Sequence, residues 1–177
     1  EGRSIVLLAG PPGVGKTLTA EVYSEVMGRP LYRVQSSQLG ITVQALEDEL
    51  KTVLKRAEKW GAILLIDEAD VYVRSRGIDI EQNAIVGVFL RVLEYYRGVL
   101  FMTTNMGTTI DDAIISRVTA RMDYEEPGKE QQKELWKILA EQNGVKLATA
   151  TLERILDNHD DLTGRDIKNL LKLAGRV

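Results

Sequence analysis

The sequence predicts an α/β fold: a mostly parallel sheet of five strands, followed by a small all-helical part. Three observations predict it. Short strand-like runs recur up to residue 126, nearly all-apolar at 4–10, 62–67 and 98–105, as strands buried on both faces require. Segments with apolar residues at spacings of three and four lie between those runs. After Pro127-Gly128 the strand-like runs stop, and only helical patterns follow.

Each element follows in turn. "SIVLLAG", residues 4–10, is the first strand, bounded by Gly10. A helix over 17–27 follows Lys16, and Gly28 caps its end. "LYRVQ" at 31–35 is the second strand. Residues 42–60 place Val43, Leu46, Leu50, Val53, Leu54, Ala57 and Trp60 on one helical face. "AILLID" at 62–67 is the third strand, and "GVLFMTTN" at 98–105 the fourth, with a very apolar helix over 81–96 between them. In "IDDAIISRVTARMDY", Asp111 and Asp112 suit the first turn of a short helix that Ile114 and Ile115 anchor. "TARMDYE" at 119–125 is the last strand. Helices are expected at about 129–142, 149–158 and 164–174, the last with Thr163 as N-cap and Asp166 in a capping-box position. The expected division is a sheet domain over 1–126 and a helical subdomain over 127–177. The chain opens at Glu1 and runs at once into a strand, which reads as part of a longer chain.

Bulk properties narrow the classes. With 177 residues, 44% hydrophobic and 28% charged, the chain can bury a sizeable core. A net charge of -3 and a pI near 5.4 argue against a wholesale nucleic-acid coat. There is no cysteine, hence no disulfide framework and no thiolate metal site. His159 is the single histidine, which makes a histidine relay improbable. No apolar run reaches membrane-span length and no signal peptide is visible, so a cytoplasmic setting is the default expectation.

The chemistry concentrates in three motifs. "GPPGVGKT", comprising Gly10, Pro11, Pro12, Gly13, Val14, Gly15, Lys16 and Thr17, fits G-x-x-x-x-G-K-T between a strand and a helix, and Leu18 follows it. Its glycines let the backbone approach closely, so that N–H groups and a helix N-terminus face a phosphate. Lys16 suits the β- and γ-phosphates, and the Thr17 hydroxyl suits Mg²⁺. The fold is therefore expected to be that of a P-loop NTPase. "ILLIDEAD" ends a buried strand in Asp67, suited to Mg²⁺, and Glu68, suited to polarising an attacking water. Asp70 reads as a helix start or a surface acid. "GVLFMTTN" ends in Thr103, Thr104 and Asn105; Asn105 fits a water-orienting group or an ordinary strand-end turn residue.

Together these residues resemble the AAA+ ATPases. "GPPGVGKT" resembles the Walker A motif, "ILLIDEAD" the Walker B motif and "TTN" the first sensor. "IDDAIISR" resembles the second region of homology, and "TGRDIKNLL" the second-sensor helix of the lid. Within the family, "RPLYRV", "DEADVYV" and "NAIVGVFLRVLEYYRGVLFMTTN" resemble an AAA group well represented in fungi. The resemblance implies ATP/ADP and Mg²⁺ as ligands, with ATP bound between sheet domain and lid. It also implies assembly into rings, usually hexamers, and remodelling of a macromolecular partner. Carried over by position, Gly10 to Leu18 bind the nucleotide, Thr17 and Asp67 the metal, and Glu68 acts on the water with Asn105 as first sensor. Arg165 matches the second-sensor arginine, and Arg117 the finger that acts on a neighbouring subunit's nucleotide. Two departures stand out. The position of a second finger holds Ala120, with Arg121 displaced by one and better read as a solvated or ion-paired side chain. The loop after the second strand has no aromatic, leaving Leu39 and Ile41 either to face a pore or to pack on their own domain.

Two other functions stay open on the sequence: a nucleotide-gated assembly module with little turnover, and a DNA-associated ATPase of the clamp-loader type. Retention of Glu68 and Arg117 argues against the first. The balanced charge, with no basic cluster, argues against the second.

Overall fold

The computed structural model describes residues 2–40, 42–106, 109–159 and 161–175. The chain divides into two compact units, Glu1–Gly10 with Lys16–Asp123, and Pro11–Gly15 with Tyr124–Val177.

The first unit is built on β1 (Ser4–Ala9), β2 (Leu31–Gln35), β3 (Ile63–Asp67), β4 (Val99–Thr104) and β5 (Ala120–Asp123). They form one five-stranded sheet in the order β2-β3-β4-β1-β5, with every neighbouring pair parallel. Helices α1 (Lys16–Met27), α2 (Val43–Trp60), α3 (Asp70–Val73), α4 (Ile80–Leu93) and α5 (Asp112–Ile115) connect them. This is the α/β architecture that the apolar runs predict. Successive side chains of a strand point to opposite faces. Leu64, Ile66, Leu100 and Met102 accordingly join Leu46, Leu50, Leu54, Phe89 and Leu93 of α2 and α4 in one buried core. Phe101, between two of those positions, instead meets Tyr23 of α1, with ring centroids 5.1 Å apart. Each such side chain contributes about 1.5–3 kcal/mol on burial, so both faces of the sheet are anchored and its carboxyl edge is held firmly.

Two details differ from the sequence expectation. The helix expected over 81–96 ends at Leu93. Tyr96 leaves it to bury its ring, and a Cβ on Gly98 would stand 2.3 Å from the Tyr96 hydroxyl oxygen, so this close approach requires glycine. Leu39 does not face outward. It lies in a 3₁₀ turn over Ser36–Leu39 and is fully buried in the core. The Tyr72 hydroxyl donates to the carbonyls of Ser36 and Gly40 and ties that turn down. The pore-facing alternative for Leu39 is thereby overturned; Ile41 lies outside the described residues.

The second unit contains α6 (Lys129–Gln142), α7 (Thr149–Asn158) and α8 (Gly164–Ala174). Its core is small: Trp136, Ala140, Leu152, Leu156, Ile167 and Leu171. Thr163 caps α8, its Oγ1 accepting from the Asp166 amide while the Asp166 carboxylate accepts from the Thr163 amide.

Candidate functional site

Parallel sheets gather ligands at the carboxyl ends of their strands. Here those ends carry Gly10 after β1, Asp67 and Glu68 at β3, and Asn105 after β4. Side-chain bonds join them. Lys16, at the start of α1, is 7% exposed; its Nζ donates to the Gly10 carbonyl at 2.5 Å and to Asn105 Oδ1 at 2.9 Å. An ammonium held this way stands at the N-terminus of a helix, where an anion is favoured. Thr17 follows, its Oγ1 3.2 Å from Asp67 Oδ1.

Asp67 is buried and fully engaged. It accepts from Thr103 Oγ1 at 2.5 Å, from Arg33 at 2.5 Å and from Thr17. Burial pushes its carboxyl up, but the bonds from Thr103, Arg33 and Thr17 outweigh that and hold it below the usual carboxylate range. It is an ionised carboxylate next to a hydroxyl. Among the described residues no group of three or more His, Cys, Asp or Glu forms a metal cage. The pair Thr17 and Asp67 fits Mg²⁺, which takes few protein ligands and fills its octahedron with water and substrate phosphate oxygens.

Glu68 is exposed and is the only non-glycine among the described residues with positive φ, at 57°. A side chain tolerates that region poorly, and such outliers persist where the surroundings enforce them. The enforcement is visible: the Glu68 amide donates to Thr103 Oγ1 at 2.9 Å, and the same Thr103 hydroxyl donates to Asp67. One threonine of β4 thus sets both acids at the end of β3.

Asp70 does more than start α3. Its Oδ1 accepts from Thr104 Oγ1 at 2.5 Å and from the Asn105 amide at 2.8 Å, fixing the turn that presents Asn105. The sequence reading missed this role, and that of Arg33. The signal for Arg33 is a charged residue inside an otherwise strand-like run.

The remaining loop residues, Pro11 to Gly15, belong to the second unit. Gly13 has φ +84°, and a Cβ there would stand 2.6 Å from Thr163 Oγ1 and 3.1 Å from Arg165 Cβ. Glycine is required both by the backbone and by this approach, and Arg165 lies beside the loop as a result. Pro12 and Arg165 are exposed; Val14 is half-buried. Leu18, in the first turn of α1, is 57% exposed.

The two arginines of the 110–124 stretch are unlike in their partners. Arg117 follows α5, donates to the Ala113 carbonyl, and pairs with Glu94 at 2.7 Å. It is joined to none of Lys16, Asp67, Glu68 or Asn105. Arg121, on β5, pairs with Asp123 at 2.7 Å. No helix among the described residues is long and apolar enough to cross a membrane.

Known proteins are similar to this chain over much of its length. The chain is 33% identical over 135 residues to an uncharacterised AAA family ATPase, y4kL, of Sinorhizobium fredii, covering 71% of this chain and 40% of that one. It is 30% identical over 179 residues to the outer mitochondrial transmembrane helix translocase of Danio rerio, covering 96% and 49%. The mitochondrial sorting homolog of Caenorhabditis elegans is 28% identical over 178 residues, covering 96% and 52%. The chain therefore spans about half the length of these relatives. Residues 6–126, from β1 past β5, match the ATPase family associated with various cellular activities, and the chain belongs to that AAA family.

Proposed function

We propose that this chain binds ATP and hydrolyses it to ADP and phosphate in the presence of Mg²⁺, as the motor module of a ring, in the family's usual hexameric form, that remodels a macromolecular partner. The observation that carries the reading is the bonded set at the carboxyl edge of the sheet. Lys16 is tied to Asn105, Thr17 to Asp67, and Thr103 links Asp67 to Glu68.

Each residue then has a task. The backbone from Gly10 to Thr17, with Leu18 beside it, cradles the phosphates, and Lys16 neutralises the β- and γ-oxygens. Thr17 and Asp67 hold Mg²⁺, which when bound offsets phosphate charge. Glu68 accepts a proton from the attacking water, and its fixed backbone aims the carboxylate. Asn105, held by Asp70 and Lys16, orients that water, and Arg165 neutralises phosphate beside the loop. Arg117 serves the nucleotide of a second copy of the chain, for it is bonded to none of its own chain's site residues. In this proposal residues 1–126 are the nucleotide-binding domain and 127–177 the lid. Because relatives include proteins named as mitochondrial, the reading does not specify the cytoplasm.

The test is phosphate release measured alongside nucleotide binding. Glu68→Gln keeps ATP binding and lowers turnover by about 10²–10⁴-fold; Lys16→Ala loses both. Unchanged phosphate release from Glu68→Gln protein removes Glu68 from the role of base.

A further inference from the structure

Asp67 has a partner on each oxygen. Oδ1 accepts from the Thr103 and Thr17 hydroxyls, and Oδ2 accepts from the guanidinium of Arg33 at 2.5 Å. Two of these three donors are neutral; the third is a cation. Arg33 stands on β2, the strand next to β3, where Gln35 rather than Arg33 is the register partner of Asp67. Its side chain therefore reaches along the sheet toward the carboxyl edge. That side chain is 48% exposed and that of Asp67 8% exposed, so the guanidinium extends inward from solvent to neutralise a buried carboxylate.

We propose that Arg33 is a resident counter-cation of the metal site, which competes with Mg²⁺ for Asp67 and couples metal arrival to release of a β2 side chain. The proposal rests on the reading of Asp67 as a metal ligand. A guanidinium stays protonated at any physiological pH, so it cannot yield by losing charge. When a divalent ion takes an Asp67 oxygen, Arg33 either leaves Oδ2 or remains as a like charge a few ångströms away. Both lower metal affinity. The neutral hydroxyls impose no such repulsion, since Thr17 can turn a lone pair to the ion and Thr103 can stay on Oδ1. In return, Asp67 never stands as an unpaired buried charge, the most costly state for such a group. The Arg33–Asp67 pair is neutral without metal and opens to a cation that brings its own phosphate ligands. This fits the two-ligand poverty of the protein part of the site.

The test uses Mn²⁺ as a spin probe, titrated against the whole chain with ADP, with free Mn²⁺ read by electron paramagnetic resonance. In Arg33→Met protein the Mn²⁺ midpoint moves to a concentration on the order of tenfold lower than in the unaltered chain. Arg33→Lys keeps the charge but loses the planar fork, so it shifts the midpoint the same way by less; it also serves if Arg33→Met fails to fold. Thermal unfolding establishes that each variant is folded. An unchanged or raised midpoint in the folded Arg33 variants overturns the proposal while leaving the metal site standing. Asp67→Asn protein that still binds Mn²⁺ with unaltered affinity overturns both the proposal and the assignment of Asp67.

Discussion

The end of the β3–β4 pair and the side chain of Arg117 are held in opposite ways. At the first, Thr103, Thr104, Asp67 and Asp70 bond to one another and to the Glu68 and Asn105 backbone, and most of these groups are buried. At the second, one arginine rests on one carboxylate and one main-chain carbonyl, with the paired side chains 31% and 46% exposed. A buried, multiply bonded network fixes its members and is expensive to disturb. An exposed ion pair contributes about 0–1 kcal/mol and exchanges readily. The groups proposed to serve the chain's own nucleotide are thus locked by the fold, whereas the group proposed to serve a neighbour is left free to change partner.

The largest expected effect tests that division directly. Arg117→Ala leaves nucleotide affinity nearly intact and lowers steady-state turnover by about 10³–10⁵-fold, the range for arginine fingers in phosphoryl transfer. Mixing Arg117→Ala with Glu68→Gln protein restores part of the activity, because some interfaces then contain both functional groups. If mixing restores nothing although assembly is verified by light scattering, Arg117 does not act across subunits, and the contrast between the two regions loses its functional meaning.

Next in size is Thr103→Val, nearly the same shape without the hydroxyl. It strips one bond from buried Asp67 and one from the Glu68 amide, and lowers unfolding free energy by about 1–3 kcal/mol in denaturant titrations. Turnover falls with it, since the Glu68 backbone is no longer held. The smallest effect belongs to the exposed pair: Glu94→Gln changes unfolding free energy by less than about 1 kcal/mol. A loss as large as that of Thr103→Val would show that the Arg117 side chain is as locked as the strand ends.

Much of this was legible beforehand. β1, β3 and β4 show as apolar runs because parallel strands buried on both faces cannot alternate, and the helices of the second unit show as spacings of three and four. The candidate site residues, Gly10 to Thr17, Asp67, Glu68 and Asn105, are also visible because they stand at strand ends in fixed spacings. Asp70 and Arg33 were not legible in the same way. Their roles arise from pairings between segments distant in sequence, Asp70 with Thr104 and Arg33 with Asp67, 34 residues apart in each case. Leu39 shows the opposite limit: an apolar residue in a short loop is compatible with either face, and only the Tyr72 bonds to Ser36 and Gly40 decide it. The early end of α4 depends likewise on where the Tyr96 ring finds room.

The left-handed backbone of Glu68 has a consequence for how this protein would respond to selection for robustness alone. Glycine or asparagine suits φ near 57° better than glutamate does. Glu68→Gly therefore relieves strain worth about 1 kcal/mol, offset in part by the greater freedom of glycine in the unfolded chain, and yields a protein that melts no lower than its parent yet, with Glu68 as the proposed base, turns over about 10²–10⁴-fold more slowly. Position 68 is where heat tolerance and turnover pull in opposite directions, so a screen for thermal survival that ignores phosphate release would drift toward inert variants at this residue.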